Sequence, residues 1–95
     1  MNVQYVGFSV TPTARIYSFH VIDSPQESRE FVVRLKAAVF RSTPLKYQQG
    51  PEICLLRLKR ELAAETEAAR GQQRLEILET DIHEYLQRHP PRKRS

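Results

Sequence analysis

Glycine is scarce in this sequence. Gly7, Gly50 and Gly71 are the only three, and no two lie within six residues of each other. A phosphate-cradling loop or a dinucleotide-binding turn needs clustered glycines, so both are excluded. A serine nucleophile elbow is excluded as well, because no serine is flanked by glycine. Cysteine is scarcer still, and the single thiol of Cys54 cannot close an internal disulfide. That fits a reducing compartment. The longest apolar runs are a few residues, far short of the ~20 needed to cross a bilayer. The opening MNVQYVGFSV lacks a basic region, an apolar stretch and a small-residue cleavage site, so no secretory signal is read. Together these absences predict a cytoplasmic chain with no membrane association.

Ninety-five residues are enough for one domain. Hydrophobic residues make up 40% and charged residues 27%, values that predict a folded chain. The formal charge is +4, and its distribution matters more than its size. Residues 88–95 hold Arg88, Arg92, Lys93 and Arg94 and no acid, and the remainder is balanced at eleven cations against eleven anions. Within that remainder, residues 1–60 carry nine cations and four anions, and residues 61–87 carry two cations and seven anions. Either the acidic segment folds back on the basic one, or opposite surfaces attract a partner or a second copy.

Periodicity organises the chain. Residues 3–10 alternate at Val6, Phe8 and Val10, the mark of a strand. Thr11, Pro12 and Thr13 end it. Over 14–23, Tyr17, Phe19 and Val21 share one face; over 29–36, Phe31, Val33 and Leu35 do the same. Three strands with short connections predict an antiparallel meander with one apolar face, which a helix must cover. Residues 37–40 read as a strand extension or a short helical turn.

A helix is expected from Pro51, with Gly50 as its N-cap and Glu52 in the first turn. Cys54, Leu55, Leu58 and Leu62 fall in one arc that should cover the sheet, and Ile53 and Leu56 fall outside it. The helix ends near residue 64, or runs on to Gly71. For 72–89 two readings stand. Leu75, Leu78, Ile82, Tyr85 and His89 have the spacing of a helical seam. Thr80, or Asp81 with Glu84 three residues on, suits the cap of a short helix from about 81, after a fourth strand over 74–79. The second is preferred because it uses Thr80 and Asp81 in roles they favour. Pro90 and Pro91 stop whatever precedes them.

The predicted fold is therefore α+β. It is a three-stranded meander with a fourth strand over 74–79, covered by one long helix and followed by a short C-terminal helix. Residues 1–88 form the domain, and 89–95 are a basic tail. The expected core is Val6, Phe8, Tyr17, Phe19, Val21, Phe31, Val33, Leu35, Leu55, Leu58, Leu62, Ile82 and Leu86.

Catalytic chemistry finds little material. Cys54 lies on the core arc and reads as a small buried hydrophobe. His83 and Glu79 share a helical face but lack the tight ligand pairs of a zinc site. The carboxylates Glu65, Glu67, Glu76 and Glu79 belong to an acidic face rather than a cleft with contrasting environments. The sequence calls for no cofactor or metal and predicts no enzyme. The expected function is a protein-interaction or self-assembly module, with a homodimer as one form. Its expected surface is Ile53, Leu56, Leu78 and Tyr85, apolar residues that one sheet-covering face cannot absorb. The alternative is a nucleic-acid accessory protein. It would contact phosphates through Arg57, Lys59, Arg60, Arg88, Arg92, Lys93 and Arg94.

Overall fold

A computed structural model describes residues 1–66, 70 and 73–89. Strands β1 (Asn2–Val10), β2 (Ala14–Ser24) and β3 (Glu27–Lys36) form the expected antiparallel meander. Helix α1 (Ala37–Ser42) follows β3 directly, so residues 37–40 are helical rather than a strand extension. A single 3-10 turn, Tyr47–Gln49, leads into α2 (Gly50–Ala63). The chain then returns as β4 (Arg74–Glu76) and ends in α3 (Glu79–Arg88). The sheet order is β1-β2-β3-β4. The fourth strand is shorter than its predicted span, and it runs parallel to β3 with Val33 opposite Leu75. The long connection through α1 and α2 is what permits a parallel neighbour.

The hydrophobic core is one cluster. Tyr17, Phe19, Val21, Phe31, Val33 and Leu35 supply its floor, and Ile53, Cys54, Leu58 and Leu62 of α2 its roof. Leu45, Leu75, Ile77, Ile82 and Tyr85 close the sides. Four expected core residues are absent from it: Leu55 and Leu86 are partly buried at its margin, and Val6 and Phe8 are 67% and 51% exposed. A helix is about 10–12 Å across, roughly two strand spacings. Helix α2 packs mainly on β3 and β2, and β1 lies beyond them with only Val3 packed against the core cluster.

The seat of α2 depends on one glycine. Gly50 is buried as the first residue of the helix, and Gln49 takes the N-cap position expected of Gly50. A Cβ at Gly50 would collide with the Tyr17 hydroxyl and ring end. The helix can approach the sheet closely only because that side chain is missing. The Tyr17 hydroxyl is buried with no hydrogen-bond partner of good geometry. Burial raises its pKa, with Arg15 acting in the opposite sense.

Helix α2 stops at Ala63 and does not continue to Gly71. Glu65, just beyond it, is gripped by Arg29 of β3. Arg29 Nη1 donates to Glu65 Oε2 at 2.7 Å and Nη2 to Oε1 at 3.0 Å. The same guanidinium holds Asp23, with Nε to Oδ2 at 2.8 Å and Nη2 to Oδ1 at 3.0 Å. Its Cζ also lies 5.2 Å from the Phe31 ring centroid. One arginine thus binds two carboxylates bidentately and ties the chain after α2 to the β2–β3 hairpin. Glu76 pairs with Arg34 across β3 and β4, and Asp81 pairs with Arg60. The acidic segment therefore folds back on the basic one.

Two predictions follow from these contacts. Gly50→Ala should lower stability by about 1–3 kcal/mol through overpacking. Tyr17→Phe in that background should restore part of the loss, because it removes both the colliding oxygen and an unpaired buried hydroxyl. Urea midpoints of the two variants and the wild type check this. The hydrogen bonds from Arg29 lower the Asp23 pKa against the opposing effect of burial. Its folded value lies below the unfolded one near about 3.9. The stabilisation is therefore complete above about pH 4 and is lost as pH falls through the lower folded value. Asp23→Asn should flatten that part of the acid limb in urea melts taken at descending pH; an unchanged limb would refute it.

Candidate functional site

Helix α3 starts at Glu79, two residues earlier than expected, with Leu78 as its N-cap. Asp81 therefore sits at the third helical position and caps from there instead of from the N-cap position. Its Oδ2 accepts the Leu78 backbone N–H at 2.7 Å. The nearly buried carboxylate also meets Arg60 Nη1 at 2.6 Å and lies 3.9 Å from Arg57 Nε. Arg57 Nη1 in turn donates to Glu61 at 3.1 Å. At the other end of α3, Tyr85 stacks on His89 with centroids 4.3 Å apart, and His89 Nε2 lies 3.3 Å from Glu52 of α2. Burial, with the Glu52 carboxylate beside it, pushes the Tyr85 phenol up to about 12.

These contacts frame a groove of about 200 Å³ between α2 and α3. Six of the sequence-selected residues line it: Ile53, Leu56, Arg57, Arg60, Tyr85 and Arg88, joined by Asp81 and Glu84. The grouping was unexpected, and it changes their roles. Ile53 and Tyr85, expected on an interaction surface, keep 1% and 3% exposure. The reason is that α3 packs beside α2 and widens the buried arc beyond the four residues first assigned to it. Leu56 and Leu78 remain exposed. Arg57 and Arg60 are engaged by acids, which leaves less of their charge for phosphate. Lys59 is exposed on α2. Arg92, Lys93 and Arg94 lie outside the described residues.

A wider cleft of about 560 Å³ opens between α1 and α3. Val39, Ile82 and Leu86 form its apolar part, and Ser42, Thr43, Glu79, Thr80, His83 and Glu84 its polar part. His83 Nε2 lies 3.1 Å from the Gln87 amide, a surface contact within one helix. Among the described residues, no group of three His, Cys, Asp or Glu side chains is placed to hold a metal ion. Also among them, no helix is long and apolar enough to cross a membrane. Cys54 is buried, and burial pushes its thiol up to about 12.

The most unusual surface lies elsewhere. Among the described residues, five of the eight exposed large hydrophobics are Met1, Tyr5, Val6, Phe8 and Val10. They crowd onto β1 and the residue before it, at an edge of the sheet, and no charged side chain precedes Arg15. Beside them Arg15 is stacked among Phe8, Phe40 and Tyr47, at 4.8, 5.6 and 4.2 Å from the ring centroids. This places the exposed Tyr47 ring near the β1 strip. Sequence reasoning missed this surface because alternation shows that a strand has an apolar face and not whether a helix reaches it. The absence of charge in residues 1–14 was the available signal.

Comparison with known proteins returns no match: no family model, no curated protein and no solved structure aligns significantly with the chain.

Cys54 should resist alkylation in the native protein at mildly alkaline pH, where a thiol of ordinary pKa near 8.5 reacts. Its labelling rate should follow global unfolding in a urea series. Rapid labelling without denaturant would contradict the buried, protonated assignment.

Proposed function

We propose that this chain is a small, non-enzymatic, cytoplasmic protein-interaction module that binds through β1. The observation carrying the reading is the concentration of exposed hydrophobic side chains on an uncharged edge strand. Monomeric proteins rarely leave such a patch contiguous, and edge strands usually carry charge or proline against unwanted pairing. Leu56 and Leu78 add separate exposed points and no continuous surface. The cytoplasmic assignment is supported by the single buried thiol. The alternative is phosphate binding by the cations of residues 88–95. It draws on exposed Lys59, Arg88 and the tail, since Arg57 and Arg60 are tied to Glu61 and Asp81.

A photoactivatable cross-linker at Val10 tests the proposal in cells of the source organism. It should give discrete protein adducts that the same group at exposed Gln87 does not give, and removal of residues 90–95 should leave those adducts unchanged. Equal labelling from both positions would reject β1 as the binding element. Loss of the adducts with the tail would favour the phosphate reading.

A further inference from the structure

The pairing of β1 with β2 is interrupted once. Tyr5 faces Phe19 and Gly7 faces Ser18, so Val6 is an extra residue in a β-bulge. Gly7 adopts a φ of +154°, in a region that L side chains rarely enter. The bulge resets the alternation. Val3 and Tyr5 before it, and Phe8 and Val10 after it, pair with Val21, Phe19, Tyr17 and Arg15. All four therefore share the helix-side face, despite the odd spacing between Tyr5 and Phe8. Asn2, Gln4, Gly7 and Ser9 take the other face, opposite Ile22, His20, Ser18 and Ile16. Val6 joins them, lining a shallow depression with Ser18, His20 and Glu30.

This pattern is symmetric about the bulge. An antiparallel copy of the strand can be laid beside β1 with Tyr5 opposite the second copy's Phe8, and Val3 opposite its Val10. Gln4 then faces Ser9, and Val6 faces Gly7. Every side chain meets one from its own face. A shift of two residues in either direction sets Tyr5 opposite Val6, or Phe8 opposite Gly7, and mixes the faces. We propose that the occupant of the β1 edge is a second copy of this chain, paired antiparallel in this register about a two-fold axis at the bulge. The pair forms a continuous eight-stranded sheet. This inference rests on the interaction-module reading and names its partner.

The available area sets the strength of the pair. Tyr5 and Phe8 are 45% and 51% exposed. The four rings of two copies therefore offer roughly 300–500 Å², half of what such rings carry. The rings alone fall well short of the about 1,200–2,000 Å² that stable pairs bury, so the pair leans on the valines and on the backbone hydrogen bonds of the two open edges. The dimer is accordingly concentration-dependent, and its interface is isologous, as a two-fold axis requires.

Heterotypic disulfide formation tests the register on the full chain. Tyr5→Cys and Phe8→Cys proteins are prepared separately, then oxidised mildly alone and as an equimolar mixture. Facing residues on paired strands have Cβ atoms about 4.5–5.5 Å apart, close to disulfide reach. The mixture should yield at least about fivefold more interchain disulfide than either protein alone. Equal yields in all three samples would overturn the register. The wild-type chain supplies a second reading that needs no substitution. Amide exchange in residues 2–10 should slow as protein concentration rises, in step with the dimer fraction from sedimentation. A monomer at every concentration, with unchanged exchange, would overturn self-pairing. If the Val10 cross-linker still captures a different protein in cells, the interaction-module reading survives that result; if it captures nothing, both fall.

Discussion

The contact between Tyr17 and the bare Cα of Gly50 determines where the rest of the molecule goes. It sets the first turn of α2 against the middle of β2, so the helix lies over β2 and β3 and its fourteen residues are spent there. A helix of that length reaches about 21 Å along its axis, enough for the two strands it crosses. What α2 does not cover must find another partner or face water. On one side β4, Ile77 and α3 fill the space, with Leu75, Ile82 and Tyr85 joining the core. On the other side only Val3 of β1 packs against the core, and Tyr5, Phe8 and Val10 on the helix-side face stay largely exposed. The exposed strand and the buried Ile53 are thus two consequences of one placement.

Electrostatics follows the same geometry. The segment after α2 carries most of the acids, and the fold returns it across the basic strands and helix. Glu65 binds Arg29, Glu76 binds Arg34, and Asp81 binds Arg60. These pairs differ in worth. Arg34 and Glu76 are well exposed, and such pairs contribute at most about 1 kcal/mol. Arg29, Asp23 and Glu65 are largely shielded and bidentate, so they fix geometry as well as energy. Neutralisation inside the fold also removes much of the case for a positively charged binding face on α2. The remaining surplus belongs to the C-terminal residues.

The sheet was legible because β2 and β3 alternate cleanly and turn residues separate them. Those features report local backbone geometry and one-sided burial, and both were observed. Helix α2 was legible for the same reason, with its start displaced by one residue because Gly50 serves packing rather than capping. Three features were not legible. Which strand lacks a cover depends on where a helix lands, and no periodicity encodes that. The burial of Ile53 and Tyr85 depends on α3 packing beside α2, a contact between segments far apart in sequence. The role of Asp81 was misassigned because carboxylates favour both the N-cap and the first turn of a helix, and the spacing to Glu84 fits the wrong one. The groove between α2 and α3 was half visible: six of its residues stand out in the sequence, as apolar or cationic candidates, without any sign that they meet.

The two edges of the sheet are built differently, and the contrast bears on what kind of assembly the fold permits. The β4 edge is three residues long and carries Arg74 and Glu76. Short length and charge are the usual protections against further strand addition. The β1 edge is nine residues long and uncharged. A sheet with two open edges can add copies without limit, whereas one open edge allows a single addition, after which the assembly is closed. The bulge at Val6 and Gly7 reinforces this. Bulges commonly discourage pairing by twisting an edge away. Here the bulge divides the strand into halves with matching faces, so it disfavours sliding registers and permits the symmetric one. A flat apolar strand would pair in many registers and invite fibres. An apolar strand with a central bulge has one register in which both faces agree along the whole strand, which converts a surface prone to aggregation into one that can specify a dimer.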